Sequence, residues 1–357
     1  MKHWNHLKAF HTVRLNATLF PVNRFESERY RKYQLNPIQV EAYTPTEIIP
    51  RVADCDALFV VSTSLPKAVI DSLSRCRVIS RLGAGTDKID VVSATRKGIL
   101  VTNAPEFCVE EQADHTMALL LALERKLPQM AAAMVDGAWS RAKSLSRGNQ
   151  RLSGRVIGLV GFGNSARAVA RRASGFGLRV IATRRNLSAP HQEADALGVR
   201  MVTFDRLLAE SDYVSLHLPL NDETYYLLNE AALRKMKPGA YLINTSRGAL
   251  VDEMALVDGL RSGRLAGAGL DTFEHIDPFT EVEGPPDHPL LTLNNVVLTP
   301  HVASFSIQAS QDVSTEGIQN VVSILSGRLP APENIVNREV IPRFPLAEYD
   351  ASLFDES

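Results

Sequence analysis

From residue 156 onward, short runs of almost unbroken apolar residues recur between stretches of helical length: VIGLVG, RVIAT, YVSLHLP, AYLINTS, LAGAGLD and NVVLTP. A strand with one wet face alternates apolar and polar residues, whereas a strand covered on both faces is apolar throughout. These runs therefore predict a parallel sheet with helices on both sides, the doubly wound α/β arrangement. The first third of the chain repeats the pattern, with ALFVV (57–61), RVISR (77–81) and ILVTN (99–103) as strands. VEEQADHTMALLLALERKL (109–127) has apolar residues at helical spacing and basic residues at its end, which predicts a long helix. A second amphipathic helix is expected over 306–327, and the acid-rich stretch 343–357 is read as a poorly ordered tail. At 357 residues the chain has room for two domains.

The first apolar run of the second series opens a phosphate-binding turn. In VIGLVGFGNSARAVARR, Gly161, Gly163 and Ala166 fill the G-x-G-x-x-G/A pattern, with Asn164 and Ser165 inside it. Gly161 permits a tight turn, Gly163 lets backbone amides approach a pyrophosphate, and Ala166 keeps the helix close to its strand. The pattern alone is weak, but here it follows a strand and begins a helix, the context that dinucleotide binding requires. About twenty residues on, a carboxylate normally bonds the adenosine ribose. The sequence there is Thr183-Arg184-Arg185. A carboxylate repels a 2′-phosphate and a guanidinium binds it through charge-assisted, bidentate hydrogen bonds, so the arginines point to NADP(H) over NAD(H).

Composition removes other classes. Thirty-nine Lys and Arg against forty Asp and Glu leave a net charge of -1, so no basic field favours nucleic acid or an anionic membrane. The longest apolar run, Met117 to Leu123, is far too short to span a bilayer. The N-terminus lacks the apolar core of a secretory signal. Cys55, Cys76 and Cys108 have neither metal spacing nor a disulfide framework, which suits a reducing cytoplasm and no metal.

Two further strand ends carry chemistry. Arg247 follows AYLINTS, and His301 follows NVVLTP. In open parallel sheets, ligands bind beyond the carboxyl edge, so this pair could converge on an anionic substrate beside a nicotinamide. Taken singly, Arg247 reads as a surface ion pair and His301 as a structural histidine.

Over roughly residues 50 to 340 the chain resembles the D-isomer-specific 2-hydroxyacid dehydrogenases. The residues that carry the likeness are RLGAGTDKIDVVSATRKGILVTNAP (81–105), ADHTMALLLALERK (113–126), GLVGFGNSARAVARR (158–172), NTSRGALVDE (244–253) and HPLLTLNNVVLTPHVA (288–303). The resemblance implies two Rossmann-like lobes, with a cofactor lobe (116–302) inserted in a discontinuous substrate lobe (1–115 and 303–342). It also implies a homodimer. By the same likeness, amides of Gly83, Ala84 and Gly85 hold the substrate carboxylate and Arg247 clamps the carboxylate and carbonyl oxygen. His301 exchanges the proton. Thr116, Thr224, Thr245 and Asp271 match cofactor-lining positions, and His217 and Pro219 fall in a loop under the adenosine.

The family's acid partner for the histidine stands five residues after the strand-end aspartate, and here that position is Ile276. Allowing one inserted residue puts Asp277 in the slot, whereas anchoring on DHPLL favours Glu283; Glu274 ranks third. The expected activity is hydride transfer between NADPH and a small D-2-hydroxy or 2-oxo acid. The alternatives are a non-catalytic dinucleotide-sensing protein or corepressor of the same fold, and oxidation of formate or phosphite.

Overall fold

The computed structural model describes residues 4–275 and 287–354, and the chain divides into two units, Met1–Phe107 with Ser306–Ser357, and Cys108–Phe305. The first unit holds β1 (Thr12–Leu15), β2 (Ile38–Val40), β3 (Ala57–Val60), β4 (Val78–Arg81) and β5 (Leu100–Thr102), in the order β2-β1-β3-β4-β5. All four pairings between these strands are parallel. Successive residues of a strand serve opposite faces, so Leu58, Val60 and Ile79 enter one core while Ala57, Phe59 and Val78 enter the other. That second core is closed by Ile318, Val321, Val322 and Leu325 of the helix Ile307–Leu325.

Strands β1 and β2 are not evident from the sequence, because Arg14 sits within the short stretch TVRL and β2 is three residues with only Val40 buried. The Arg14 guanidinium is fully buried, donates to Glu26 through Nε and Nη2 (3.1 Å each), and caps the carbonyls of Leu15 and Asn16. A buried charge is tolerated when its donors are met in this way. The acidic C-terminal stretch, expected to be poorly ordered, is packed as far as Phe354. The guanidinium of Arg77 lies 4.0 Å from the Phe344 ring centre, Leu329 N donates to Ala347 O (2.8 Å), and Phe354 stacks with Trp4. Its apolar residues supply this packing, and Asp350 adds an ion pair with Arg328 at 3.6 Å.

The second unit holds β6 (Val156–Val160), β7 (Arg179–Thr183), β8 (Arg200–Met201), β9 (Tyr213–Leu216), β10 (Ala240–Asn244), β11 (Leu265–Leu270) and β12 (Val296–Leu298). The order is β12-β11-β10-β9-β6-β7-β8, again all parallel, with the reversal beside β6 where the phosphate turn begins. Val156, Val160 and Leu242 enter one core; Ile157, Leu159 and Ile243 enter the other. The helix Val109–Arg125 adds Ala113, Met117 and Leu120 to the second core, together with Ala166 and Val169 of the helix Asn164–Gly175. A break at 115/116 would cut through that helix; its whole length lies in the second unit. Among the described residues, no helix is long and apolar enough to cross a membrane, and no cluster of three His, Cys, Asp or Glu side chains could hold a metal.

Candidate active site

The phosphate turn is shaped by close approach. Gly161 has φ 97°, and a Cβ there would stand 2.2 Å from the carbonyl oxygen of His217. Glycine is required at this point on both counts. At Gly163 a Cβ would meet nothing within 4 Å, so the backbone ahead of the helix Asn164–Gly175 is open. Ala166 is fully buried against the core. An open glycine at the N-terminus of a 12-residue helix fits a pyrophosphate, whose charge the first amides and the helix dipole favour.

His217 lies beneath this turn. Ser215 Oγ is 2.9 Å from its Nε2 and Ser165 Oγ is 3.3 Å from Nδ1. Burial pushes its pKa down to about 4, so the ring is neutral at physiological pH. Its side chain thus positions Ser165 instead of offering a charge. In the same loop, Thr224 Oγ1 donates to Pro219 O (2.8 Å) and accepts from Asn221 N (2.8 Å), closing the turn after β9. Thr116 and Thr245, from distant parts of the sequence, meet with their hydroxyl oxygens 3.0 Å apart, and both are buried.

At the end of β7, Arg184 and Arg185 diverge. Nη2 of Arg184 donates to the carbonyls of Ala189 (2.6 Å) and Pro190 (2.7 Å) and lies 3.0 Å from Nδ1 of His191. Arg185 pairs with Glu223 at 2.8 Å, both side chains being largely exposed. No rule of residue spacing shows that Arg184 folds onto its own loop.

Arg247, Asp271 and His301 follow β10, β11 and β12, three neighbouring parallel strands, so they stand side by side at one carboxyl edge. Arg247 is half-buried; its Nη1 donates to Ser246 O (2.8 Å), and Asn244 Nδ2 donates to the Arg247 carbonyl (2.8 Å). Gly248 packs directly on the next strand's loop: a Cβ there would be 1.9 Å from the Phe273 carbonyl carbon. Asp271 is fully buried and its carboxylate accepts from Thr299 Oγ1 (2.6 Å), Val302 N (3.0 Å) and Ala303 N (2.8 Å). Neither these contacts nor the place of His115 beside them follows from residue spacing. The only sequence signal was the His-Thr pair in ADHTM and the threonine two residues before His301.

Of the acids considered as partners of His301, Asp277, Glu281 and Glu283 lie outside the described residues. Glu274 has other work. Its carboxylate accepts from the hydroxyls of Tyr225 (2.9 Å) and Tyr226 (2.7 Å), and its backbone N–H donates to Glu253 Oε1 (2.8 Å). Glu253 Oε2 in turn lies 3.2 Å from His288 Nε2, both residues being buried.

The Gly83–Gly85 loop belongs to the first unit. Gly83 has φ 148°, its carbonyl accepts from Ala104 N (3.1 Å), and those of Ala84 and Gly85 accept from Asn103 Nδ2 (2.6 Å) and Arg81 Nε (3.0 Å). A trans peptide points its N–H opposite its carbonyl, so these donors turn the amides of Ala84, Gly85 and Thr86 the other way.

A doubly wound sheet with a phosphate turn at its reversal, and an arginine and a histidine beyond its carboxyl edge, defines a nicotinamide-dinucleotide oxidoreductase. Comparison with known proteins names the group. Residues 117–303 match the model of the D-isomer specific 2-hydroxyacid dehydrogenase NAD binding domain. A glyoxylate reductase of Korarchaeum cryptofilum is 41% identical over 299 residues, 82% of this chain and 86% of that protein. One of Pyrococcus furiosus is 36% identical over 327 residues, 90% of this chain and 93% of that protein. The crystal structure of an NADPH-dependent glyoxylate/hydroxypyruvate reductase from Sinorhizobium meliloti, in complex with NADP and malonate, superposes with a TM-score of 0.79 at 29% identity, covering 95% of this chain and 100% of that one. The chain belongs to the D-isomer-specific 2-hydroxyacid dehydrogenase family, and it is an NAD(P)-dependent oxidoreductase of 2-hydroxy and 2-oxo acids. The non-catalytic sensing reading finds no support among these relatives.

Proposed function

We propose that the protein reduces glyoxylate or a similarly small 2-oxo acid with NADPH. The observation that carries this reading is the row of Arg247, Asp271 and His301 beyond three adjacent strands of the sheet that bears the phosphate turn. A dinucleotide held at the Gly161–Ala166 turn would supply the hydride for C2 of the oxo acid. Arg247 offers a planar pair of N–H donors to the carboxylate and carbonyl oxygen, orienting C2. His301, as the imidazolium, donates its proton to the C2 oxygen as negative charge develops there, and removes it in the reverse direction. We assign the first unit to the substrate and the second to the cofactor.

The preference for NADPH rests on Arg184 and Arg185 at the position where an acid would repel the 2′-phosphate. The named solved relative was crystallised with NADP, which supports the same choice. For the partner of His301 we hold to Asp277 first and Glu283 second, since Glu274 is engaged by two tyrosines. We also propose a homodimer. Leu127, Met134, Val135 and Trp139 are exposed on the helices Leu127–Val135 and Trp139–Leu145, an apolar display that water disfavours. The buried Cys55 and Cys76 suit a reducing cytoplasm.

The deciding measurement is the loss of nicotinamide absorbance at 340 nm with glyoxylate, hydroxypyruvate and pyruvate, using NADPH and NADH in parallel. Turnover of glyoxylate with NADPH well above NADH is expected; no oxidation of either cofactor by any 2-oxo acid would refute the reading. Sedimentation of the wild type and of Trp139→Glu tests the dimer, which the substitution should split.

A further inference from the structure

His301 has φ 57°, a left-handed backbone that costs an L-residue about 1–2 kcal/mol unless its surroundings impose it. The imposing group is Asp271. Its backbone carbonyl accepts from His301 N (2.8 Å). Its carboxylate takes the next two amides, Val302 N on Oδ1 and Ala303 N on Oδ2, and the hydroxyl of Thr299 on Oδ1. Four donors from the five-residue stretch 299–303 thus converge on one buried residue. Thr299 spends its hydroxyl hydrogen on Asp271, so its oxygen accepts from His115 Nε2, 2.9 Å away; the same nitrogen is 3.5 Å from Asp271 Oδ1. His115 belongs to the helix Val109–Arg125, which anchors the chain of contacts in the core.

We propose that Asp271, with Thr299 and His115, is a positioning device that fixes the His301 turn and so aims its imidazole. The inference rests on the reading of His301 as proton donor. It differs from a cofactor-lining role for Asp271, because three of roughly four acceptor sites on a carboxylate are already filled from within the turn. Asparagine at 271 would have to present an NH2 to one of these donors, and a donor facing a donor releases the turn. A misplacement of about 1 Å at a reacting group costs on the order of 100-fold in rate.

The test is a kinetic double-mutant cycle on the full-length protein. Asp271→Asn should lower kcat for the 2-oxo acid about 100-fold while NADPH affinity, read by nucleotide fluorescence, stays within about threefold. Thr299→Val, which keeps the side-chain shape, should act in the same direction by about tenfold and provides the cycle if Asp271→Asn does not fold. In a His301→Ala background neither substitution should reduce the residual rate further. Equal losses with and without His301, or a loss of NADPH affinity that matches the loss of kcat, would overturn the inference. Wild-type turnover in His301→Ala alone would instead overturn the proton-donor reading, whatever Asp271 does.

Discussion

Replacing His217 by Asn should alter how stability depends on pH, with a size that follows from its burial. An imidazole in an unfolded chain titrates near pH 6.5, whereas in the folded protein burial pushes this one down to about 4. At pH 8 both states are neutral and the group contributes nothing to the slope. As pH falls through 6.5 the unfolded chain takes up a proton that the folded protein refuses, so stability is lost. The loss is complete near pH 4 and amounts to about 3 kcal/mol, of which about 2 kcal/mol has gone at pH 5. Asparagine retains a hydrogen-bonding amide near Ser215 and Ser165 but does not titrate. The measurement is the midpoint of the thermal transition that NADPH raises, for wild type and His217→Asn, at intervals from pH 8 to 4.5. The wild type should lose about 4–8 °C relative to the variant between pH 8 and 5, given about 2–4 °C per kcal/mol for a unit of this size. Parallel curves would mean that the ring is solvated or charged when folded; a wild-type advantage growing in acid would mean that it is paired with an acid.

Arg184→Asp should weaken NADPH by about tenfold to a hundredfold and NADH far less, since a charge-assisted bond worth about 1.5–3 kcal/mol is lost; equal losses in titrations with both cofactors would reject the assignment. Arg247→Ala should lower turnover by at least about 100-fold with NADPH affinity and melting temperature nearly unchanged, and Arg247→Lys should restore only part, because a point charge lacks the planar fork. Gly161→Ala places a Cβ against the His217 carbonyl at positive φ, so calorimetry should show about 1–3 kcal/mol of destabilisation and a loss of dinucleotide binding. Asp277→Asn should move the alkaline limb of the reduction profile to lower pH, because losing an anionic neighbour favours deprotonated imidazole, whereas Glu281→Gln should leave it in place.

The sequence was most legible where function depends on backbone. The pattern puts a glycine at 161, where the backbone has positive φ and a Cβ would press on the His217 carbonyl, so that few other residues fit. The strand-end placement of Arg247 and His301 was likewise legible, since parallel order puts carboxyl ends together. Side-chain choices were less so. Arg184 turns back to the carbonyls of Ala189 and Pro190, and Glu274 goes to two tyrosines about fifty residues upstream; neither partner can be chosen without the fold. The same holds for Arg14, whose buried partner Glu26 makes a charged residue acceptable in a strand interior. Apolar periodicity is a local signal, whereas neutralising a buried charge is a tertiary event.

The division of the first unit between the two ends of the chain bears on how the protein is made. On the ribosome, β3, β4 and β5 emerge early, with Ala57, Phe59, Val78 and Leu100 on a face that Ile318, Val321, Val322 and Leu325 later cover. The covering helix is synthesised roughly two hundred residues afterwards, a wait of about 10–40 s at usual elongation rates. Throughout that interval the second unit, continuous in sequence, can complete its own sheet, while the earlier one presents a sticky apolar surface. Nascent-chain capture by chaperones should therefore peak before residue 325 leaves the tunnel, and truncations that remove the helix Ile307–Leu325 should aggregate instead of folding.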